Sequence, residues 1–143
     1  MPMKWKRNCI RMNELVLFHD SQQRWISMNT LTIPFQTINW SVVPRVEYKG
    51  ETGTAFWQTV QYSGLRIRIV HYSPGYRADH WCSKGHIVQC LEGEFVSELN
   101  TGEAFTLSEG AMYVVTDEMS SHRSVSTKGA TLLIIDGDFL GKS

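Results

Sequence analysis

The sequence predicts an all-β protein, built as a closed barrel or a two-sheet sandwich. Six glycines after Met28 lie 8 to 11 residues apart, as expected of short strands joined by tight turns: Gly64, Gly75, Gly85, Gly93, Gly102 and Gly110. The segments between them are rich in β-branched and aromatic residues and alternate in polarity. No window of a dozen residues after Met28 holds a helical period. So many strands favour a closed or packed arrangement, which protects strand edges.

The strands are predicted in order along the chain. In the second long segment, LRIRIVHY, Leu65, Ile67, Ile69 and His71 share an apolar face and the two arginines take the other. Asn100-Thr101-Gly102 is predicted to form a hairpin turn. An entry strand along the barrel edge is predicted over 33–40, where a proline is tolerated. The other predicted strands are 54–62, 86–93, 94–100, 103–107, 111–115, 122–126 and 131–136.

The length of 143 residues fits one domain. Residues 28–143 are predicted to form the barrel, and residues 1–27 an N-terminal extension that is disordered or a mis-called start. Residues 1–27 are mixed and polar without a clean period, and Met28 opens the better organised part of the chain. The alternative is an ordinary N-terminal extension that packs on the domain.

Charge and cysteine content exclude several classes of protein. With 14 basic and 14 acidic side chains the formal net charge is zero, which disfavours non-specific binding to nucleic acid or to anionic lipid. No apolar run approaches the ~20 residues that a membrane helix needs. Three cysteines are too few for a disulfide framework and favour a reducing cytoplasm.

The candidate site lies in residues 75–86. His80 and Cys82 share one face of an extended strand, and a turn at Ser83-Lys84-Gly85 would return His86 across from them. His122, far along the chain, is a fourth candidate. Imidazole and thiolate suit one divalent transition metal, Zn²⁺ or Fe²⁺, and not Mg²⁺ or Ca²⁺.

Structural alternatives stand beside the metal interpretation. Histidines in a β core are commonly hydrogen-bonded, and cysteine is a small apolar filler. A Cys82–Cys90 disulfide is disfavoured by the cytoplasmic prediction.

The segment resembles the first motif of the cupin superfamily. That motif is a glycine, five residues, His-x-His, three to four residues, a glutamate, six residues and a glycine. His80 takes the place of the first histidine, Cys82 the second, His86 the glutamate and Gly93 the closing glycine, while the interval after Gly75 is one residue short. The resemblance implies a single double-stranded β-helix, or jelly-roll, barrel holding a metal. Cupins also commonly dimerise by pairing barrel edges, which implies a homodimer here.

The second cupin motif is fainter. Gly110 opens it, but Thr116 stands for its proline and Glu118 for its glycine, and His122 comes one residue late. Within cupins the chain resembles the small family named for an Asp-His-Cys-Trp (DHCW) motif, with the same four residues reordered at 79–82. The phrases GETGTAFWQT, LRIRIVHYSPGY and IIDGDFL support that likeness across 33–140.

Four further residues are candidates for a ligand pocket. Gln58 shares the parity of inward apolar residues, although a hydrogen bond to backbone would also explain it. Arg68 suits a solvated face or a dimer contact, or would bind a carboxylate if it lay inside the barrel. Tyr76 shares the parity of His80, and Tyr113 is placed in a strand near the site.

The sequence therefore predicts a small metal-binding cupin that binds a small-molecule ligand or substrate. If it is an enzyme, oxygenase- or isomerase-type chemistry on a small polar or carboxylated molecule is expected. The alternatives are a non-enzymatic binding or sensing module, and a barrel with a purely structural metal.

Overall fold

The computed structural model describes residues 31–141 and, before them, the backbone of two short strands. These are β1 (Leu17–His19) and β2 (Trp25–Ser27), which pair antiparallel within a compact unit formed by Met1–Pro34. The rest of residues 1–27 lies outside the described residues, so the interpretation of that segment stays a prediction. The second compact unit, Phe35–Ser143, holds the barrel.

The described part of the barrel unit contains nine β-strands and no α-helix. Single 3-10 turns at Trp40–Val42 and Asp138–Leu140 lie before and after them. The strands are β3 (Val46–Lys49), β4 (Thr54–Tyr62), β5 (Leu65–Tyr72), β6 (Tyr76–Arg77), β7 (His86–Leu99), β8 (Ala104–Ser108), β9 (Met112–Val115), β10 (His122–Ser126) and β11 (Ala130–Gly137).

The long strand β7 joins two antiparallel sheets. Its first half pairs with β11 and β9, in a sheet that continues through β5 and β4 to β3. Its second half pairs with β8 and β10, and β10 pairs with β6. The strands predicted over 86–93 and 94–100 are thus two halves of one strand, and the all-β prediction is confirmed.

Gly93 marks the place where β7 passes from one sheet to the other. The register of its pairing with β11 shifts between Thr131 and Leu132, opposite this point. Gly93 has φ +76°, and a Cβ there would lie 2.5 Å from the Gly129 carbonyl oxygen. Only glycine fits this crossing without displacing backbone.

The local predictions for the two long hairpin strands were accurate. β4 and β5 have the predicted bounds and pair over their whole length. Gly102, with φ +99°, donates its N–H to Leu99 in the predicted hairpin turn between β7 and β8.

Of the positions considered for Arg68, the structure shows the one inside the barrel. Arg68 and Val70 are buried at 4% and 1% exposure, whereas Ile67 and Ile69 on the opposite face are half-buried. Arg68 lies inside the barrel because Asp136 accepts its hydrogen bond and the Trp57 ring lies under its guanidinium. A paired guanidinium can occupy an interior position that an unpaired one could not.

The entry strand predicted over 33–40 was also wrong, since these residues form no strand. The edge of the larger sheet is β3, paired with β4. The segment instead ends in a turn capped by Asn39, and the Gln58 amide binds two carbonyl oxygens of that turn, those of Trp40 and Val43.

The barrel interior combines an apolar core with a buried polar group. The largest fully buried apolar side chains are Phe95, Leu132, Val70 and Val88. The buried polar residues that adjoin this core include Arg68, His86, His122 and Asp136. No helix of the described chain is long and apolar enough to cross a membrane.

Candidate metal centre

Three potential metal ligands converge inside the barrel unit. One donor atom from each of Cys82, His86 and His122 lies within 4.8 Å of the other two. The two histidines are buried, at 8% and 4% exposure, and the cysteine is partly buried. The structure therefore brings together three of the four ligands that the sequence predicts.

Backbone pairing positions these three side chains. Cys82 and His122 form an isolated antiparallel bridge, in which each N–H donates to the other's carbonyl at 2.8 and 2.9 Å. His86 follows a bend at Lys84, and the Gly85 N–H donates to the Asp117 carboxylate at 2.6 Å. This bend stands where the sequence predicts a turn and carries the chain from Cys82 to the start of β7.

Cys82, His86 and Asp136 form a line of contacts. Cys82 Sγ lies 3.3 Å from His86 Nε2, and His86 Nδ1 lies 3.1 Å from Asp136 Oδ2. Because an ionised carboxylate only accepts, Nδ1 carries the hydrogen, and Nε2 faces the thiol. A carboxylate behind a histidine is the usual outer partner that orients a metal-ligating imidazole.

The electrostatics of this line favour an ionised thiol. Burial opposes the charge on Cys82, but the neighbouring His122 and His86 imidazoles outweigh it and lower the pKa of the thiol to about 5. Burial also opposes a charged His86, yet its bonds to Asp136 and Cys82 raise its pKa. A thiolate is the form that binds metal.

His122 provides the clearest sign that the group fits a metal. Its Nδ1 lies 3.3 Å from the Ser120 hydroxyl, so that Nε2 is the ring nitrogen left to act as a donor beside Cys82 and His86. That Nε2 is buried and has no hydrogen-bond partner. A buried unpartnered nitrogen costs free energy, and a metal ion held with Cys82 and His86 would satisfy it.

Asp136 is the functional residue that the sequence analysis missed. Besides His86, its carboxylate accepts hydrogen bonds from Arg66 and Arg68, at 2.8 Å and 2.5 Å for the shortest of each. Burial opposes its charge, but these donors hold its pKa well below the usual range. Asp136 continues the buried face of Ala130, Leu132 and Ile134 on β11, but the run of four apolar residues before it hides that alternation in the sequence.

The three candidate ligands line one cavity of about 200 Å³. Aromatic rings form much of its wall, and Tyr72 and Tyr76 stack with centroids 4.2 Å apart. Cationic side chains of Arg66, Arg68, Lys84 and Arg123 also line it. Tyr76, Tyr113 and Arg68, all predicted as pocket residues, lie in this wall.

The structure does not bring His80 into the three-residue group. Its side chain is 73% exposed, and its Nδ1 lies 2.6 Å from the Asp79 carboxylate, although it lines the same cavity. The prediction assumed an extended strand, whereas the backbone bends at Asp79 and His80, so the two-residue alternation toward Cys82 is interrupted. His80 as a ligand stays a prediction.

Gln58 is not in the cavity wall. Its amide donates to the Trp40 and Val43 carbonyls at 2.6 and 2.8 Å, which is the backbone-bonded alternative.

Comparison with known proteins supports the fold. The sequence matches no protein-family model and no curated protein. Solved structures with similar folds include the following three. A sugar phosphate isomerase from a cupin superfamily, from Silicibacter pomeroyi, is 16% identical with a TM-score of 0.59, over 71% of this chain and 75% of that one.

The second is ectoine synthase from P. lautus, 14% identical with a TM-score of 0.60, over 76% of this chain and 80% of the other. The third is a cupin-like protein from Thermotoga maritima, 17% identical with a TM-score of 0.59, over 71% and 84%. Together with the two sheets joined through β7, these similarities show that the barrel unit has the jelly-roll fold of the cupin superfamily.

Proposed function

We propose that this protein binds one divalent transition metal, zinc or iron, through Cys82, His86 and His122. Two observations on the same residues carry the proposal: one donor atom from each of the three lies within 4.8 Å of the others, and the Nε2 of His122 is buried without a hydrogen-bond partner. A set of two imidazoles and one thiolate matches the preferences of Zn²⁺ and Fe²⁺, and lacks the oxygen ligands that Mg²⁺ and Ca²⁺ require.

Three protein ligands suit a metal that takes part in chemistry. Catalytic zinc sites use three protein ligands and leave a position for water or substrate. We propose that the protein is a metal-dependent enzyme of the oxygenase or isomerase type, acting on a small polar or carboxylated molecule. A metal here supplies a Lewis acid that polarises a bound oxygen atom.

The chain's own residues prepare the site for such chemistry. Asp136 fixes the imidazole of His86 so that Nε2 faces Cys82. The cavity of about 200 Å³ is smaller than the roughly 300–1,000 Å³ of pockets for drug-sized ligands, so a small molecule fits it. The rings of Trp57, Tyr72 and Tyr113 line this cavity and would limit the access of water to a molecule bound there.

A second candidate function follows from the position of His80. Its ring lies at the same cavity, and if the bend at Asp79 turned inward, four ligands would close the coordination sphere. A closed set of four is typical of a structural zinc. The protein would then be a binding or sensing module, or a barrel stabilised by its metal.

We further propose that the protein is a cupin of the DHCW-type subgroup and that it is located in the cytoplasm. We also propose that it forms a homodimer and has no nucleic-acid partner. A row of directly paired apolar side chains crosses the face of the larger sheet opposite Arg68 and Val70; four are partly exposed and Val114 is 62% exposed, which supports association of two copies through this face. The row is Val60, Ile67, Ile135, Ile87 and Val114.

Elemental analysis of the full chain, purified without a metal-affinity tag, tests the metal proposal. We expect about one zinc or iron per chain, and a melting temperature that falls on chelation. Protein free of stoichiometric transition metal, with a melting temperature unchanged by chelation, would overturn it. Oxygen uptake by the iron-loaded protein in the presence of small thiols and acids would support an oxygenase. Four protein ligands in a metal-bound structure would instead favour a structural metal.

A further inference from the structure

The charged side chains that line the cavity are mostly cationic. Among the described residues, four cationic side chains line it and no carboxylate does: Arg66, Arg68, Lys84 and Arg123. Two of them have carboxylate partners elsewhere. Arg123 donates to Glu98 at 2.7 Å, and Lys84 lies 3.6 Å from Asp117.

Arg66 and Arg68 instead share a single carboxylate, that of Asp136. Arg66 takes it with two hydrogen bonds, of 2.8 and 3.1 Å, and Arg68 adds a third at 2.5 Å. His86 Nδ1 adds a fourth donor at 3.1 Å. One negative charge therefore faces two guanidiniums, and its oxygens are already engaged by all four donors.

Arg68 is the buried member of this pair. Its side chain is 4% exposed, whereas that of Arg66 is 36% exposed, so that solvent screens the charge of Arg66. The Arg68 Nε is buried without a hydrogen-bond partner, and its guanidinium lies 4.4 Å from the centroid of the Trp57 ring. A buried cation with an unused donor is costly unless an anion completes it.

We propose that the cavity binds a small organic carboxylate, whose negative charge is held by Arg68. This inference rests on the proposed function, in that the carboxylate would lie in the same cavity as the metal ligands Cys82, His86 and His122. The guanidinium offers the fork of donors that carboxylates bind in two-point contact. The Trp57 and Tyr72 rings supply an apolar wall for the rest of the molecule.

A divalent metal strengthens this preference. An ion held by one thiolate and two neutral imidazoles leaves one further positive charge uncompensated in the cavity. The loaded site therefore favours an anion more than the metal-free site does. A neutral molecule of the same shape gains nothing from either charge.

The test titrates the full chain with propionate and with its neutral analogue propionamide, at constant ionic strength. The indole N–H resonance of Trp57 in the NMR spectrum, assigned with Trp57→Phe, reports binding beside Arg68. We expect a saturable shift with propionate, and at least tenfold weaker binding of propionamide. Equal binding of the two would overturn the proposal.

Variants locate the carboxylate. Arg68→Met should weaken propionate binding at least tenfold, and Arg77→Met, which removes a surface arginine outside the cavity wall, should leave it unchanged. Arg68→Lys keeps a cation in the barrel and serves as the second variant if Arg68→Met does not fold. Arg68→Lys should still bind propionate more weakly, because the two-point contact is lost. The proposal would be overturned if Arg68→Met bound propionate as tightly as the natural chain does. If only Arg68→Lys folds, unchanged binding in that variant would overturn it. In either case the carboxylate would lie on the metal or elsewhere.

The titration is run on metal-free and zinc-loaded protein. Propionate binding that depends on Arg68, in a chain that takes up neither zinc nor ferrous iron, supports this inference and contradicts the metal centre. Stoichiometric zinc without discrimination between propionate and propionamide overturns this inference and leaves the metal centre standing.

Discussion

Asp136 Oδ2 lies 3.1 Å from His86 Nδ1, and this contact links the candidate metal centre to the arginines of the cavity. The same oxygen accepts from Arg68, so one carboxylate orients a candidate metal ligand and anchors a cation. His86 stands at the start of β7 and Asp136 near the end of β11, neighbouring strands of the larger sheet.

Asp136→Asn should weaken zinc binding about 10- to 100-fold, the usual loss when the outer partner of a ligating histidine is removed. The amide still occupies the place of the carboxylate but no longer stabilises the positive charge shared with the metal. Competition with a chromophoric chelator measures the affinity. Asp138→Asn, an exposed neighbour, is the matched control, and equal affinities of the two variants would contradict the role given to Asp136.

Zinc affinity should fall as the pH falls. Binding requires an unprotonated His86 Nε2, and because the pKa of His86 is raised, protons compete from above its ordinary value of 6.5 downward. Near pH 5 protonation of Cys82 adds a second competing proton, so the decline becomes steeper. Chelator competition from pH 8 to pH 5 should show this curvature, and an affinity independent of pH over that range would exclude these two ligands.

Gly93→Ala should destabilise the barrel far more than Gly102→Ala. Both glycines have positive φ, which costs another residue about 1–2 kcal/mol. A Cβ at Gly93 would also lie 2.5 Å from the Gly129 carbonyl oxygen, which adds an overpacking cost of about 1–3 kcal/mol, whereas a Cβ at Gly102 meets nothing within 4 Å. Urea unfolding measures both variants, and equal losses of stability would show that the close approach at the sheet crossing is not rigid.

Gln58→Leu should lower the free energy of unfolding by about 1–3 kcal/mol, because two backbone carbonyls lose the amide that donates to them. Zinc affinity should not change, since Gln58 lies outside the cavity wall. Gln61→Leu, an exposed glutamine that also donates to backbone, should cost less. A loss of zinc affinity in Gln58→Leu would return this residue to the site.

Alternating polarity was enough to predict most of the strands, because the pleat places every second side chain on one face. The same rule was not enough for β5, where it could not show that Asp136, 68 residues later, pairs with Arg68 inside the barrel. It also failed for His80, because the bend at Asp79 interrupts the strand that the rule assumes. Pairings distant in sequence and local bends are properties of the folded chain, which the periodicity of one segment does not contain.

The sequence shows that His86 stands for the glutamate of the cupin motif and Cys82 for its second histidine. It does not show that the strand containing His122 pairs with Cys82. The bridge between Cys82 and His122 brings two candidate ligands together that are 40 positions apart in the chain. The spacing of residues 80–86 predicted His80 and Cys82 on one face with His86 across from them, and His122 was added as a fourth ligand without a predicted partner strand.

X-ray absorption at the zinc edge, on the full chain and on Cys82→Ser, tests the metal centre most directly. We expect one sulfur ligand at about 2.3 Å and nitrogen ligands at about 2.0–2.1 Å in the natural chain, with the sulfur lost in Cys82→Ser. Cys90→Ser serves as the control, because that thiol is buried in the core and outside the three-residue group, and it should retain the sulfur ligand. Stoichiometric zinc with no sulfur neighbour, or a sulfur ligand that persists in Cys82→Ser, would contradict the account.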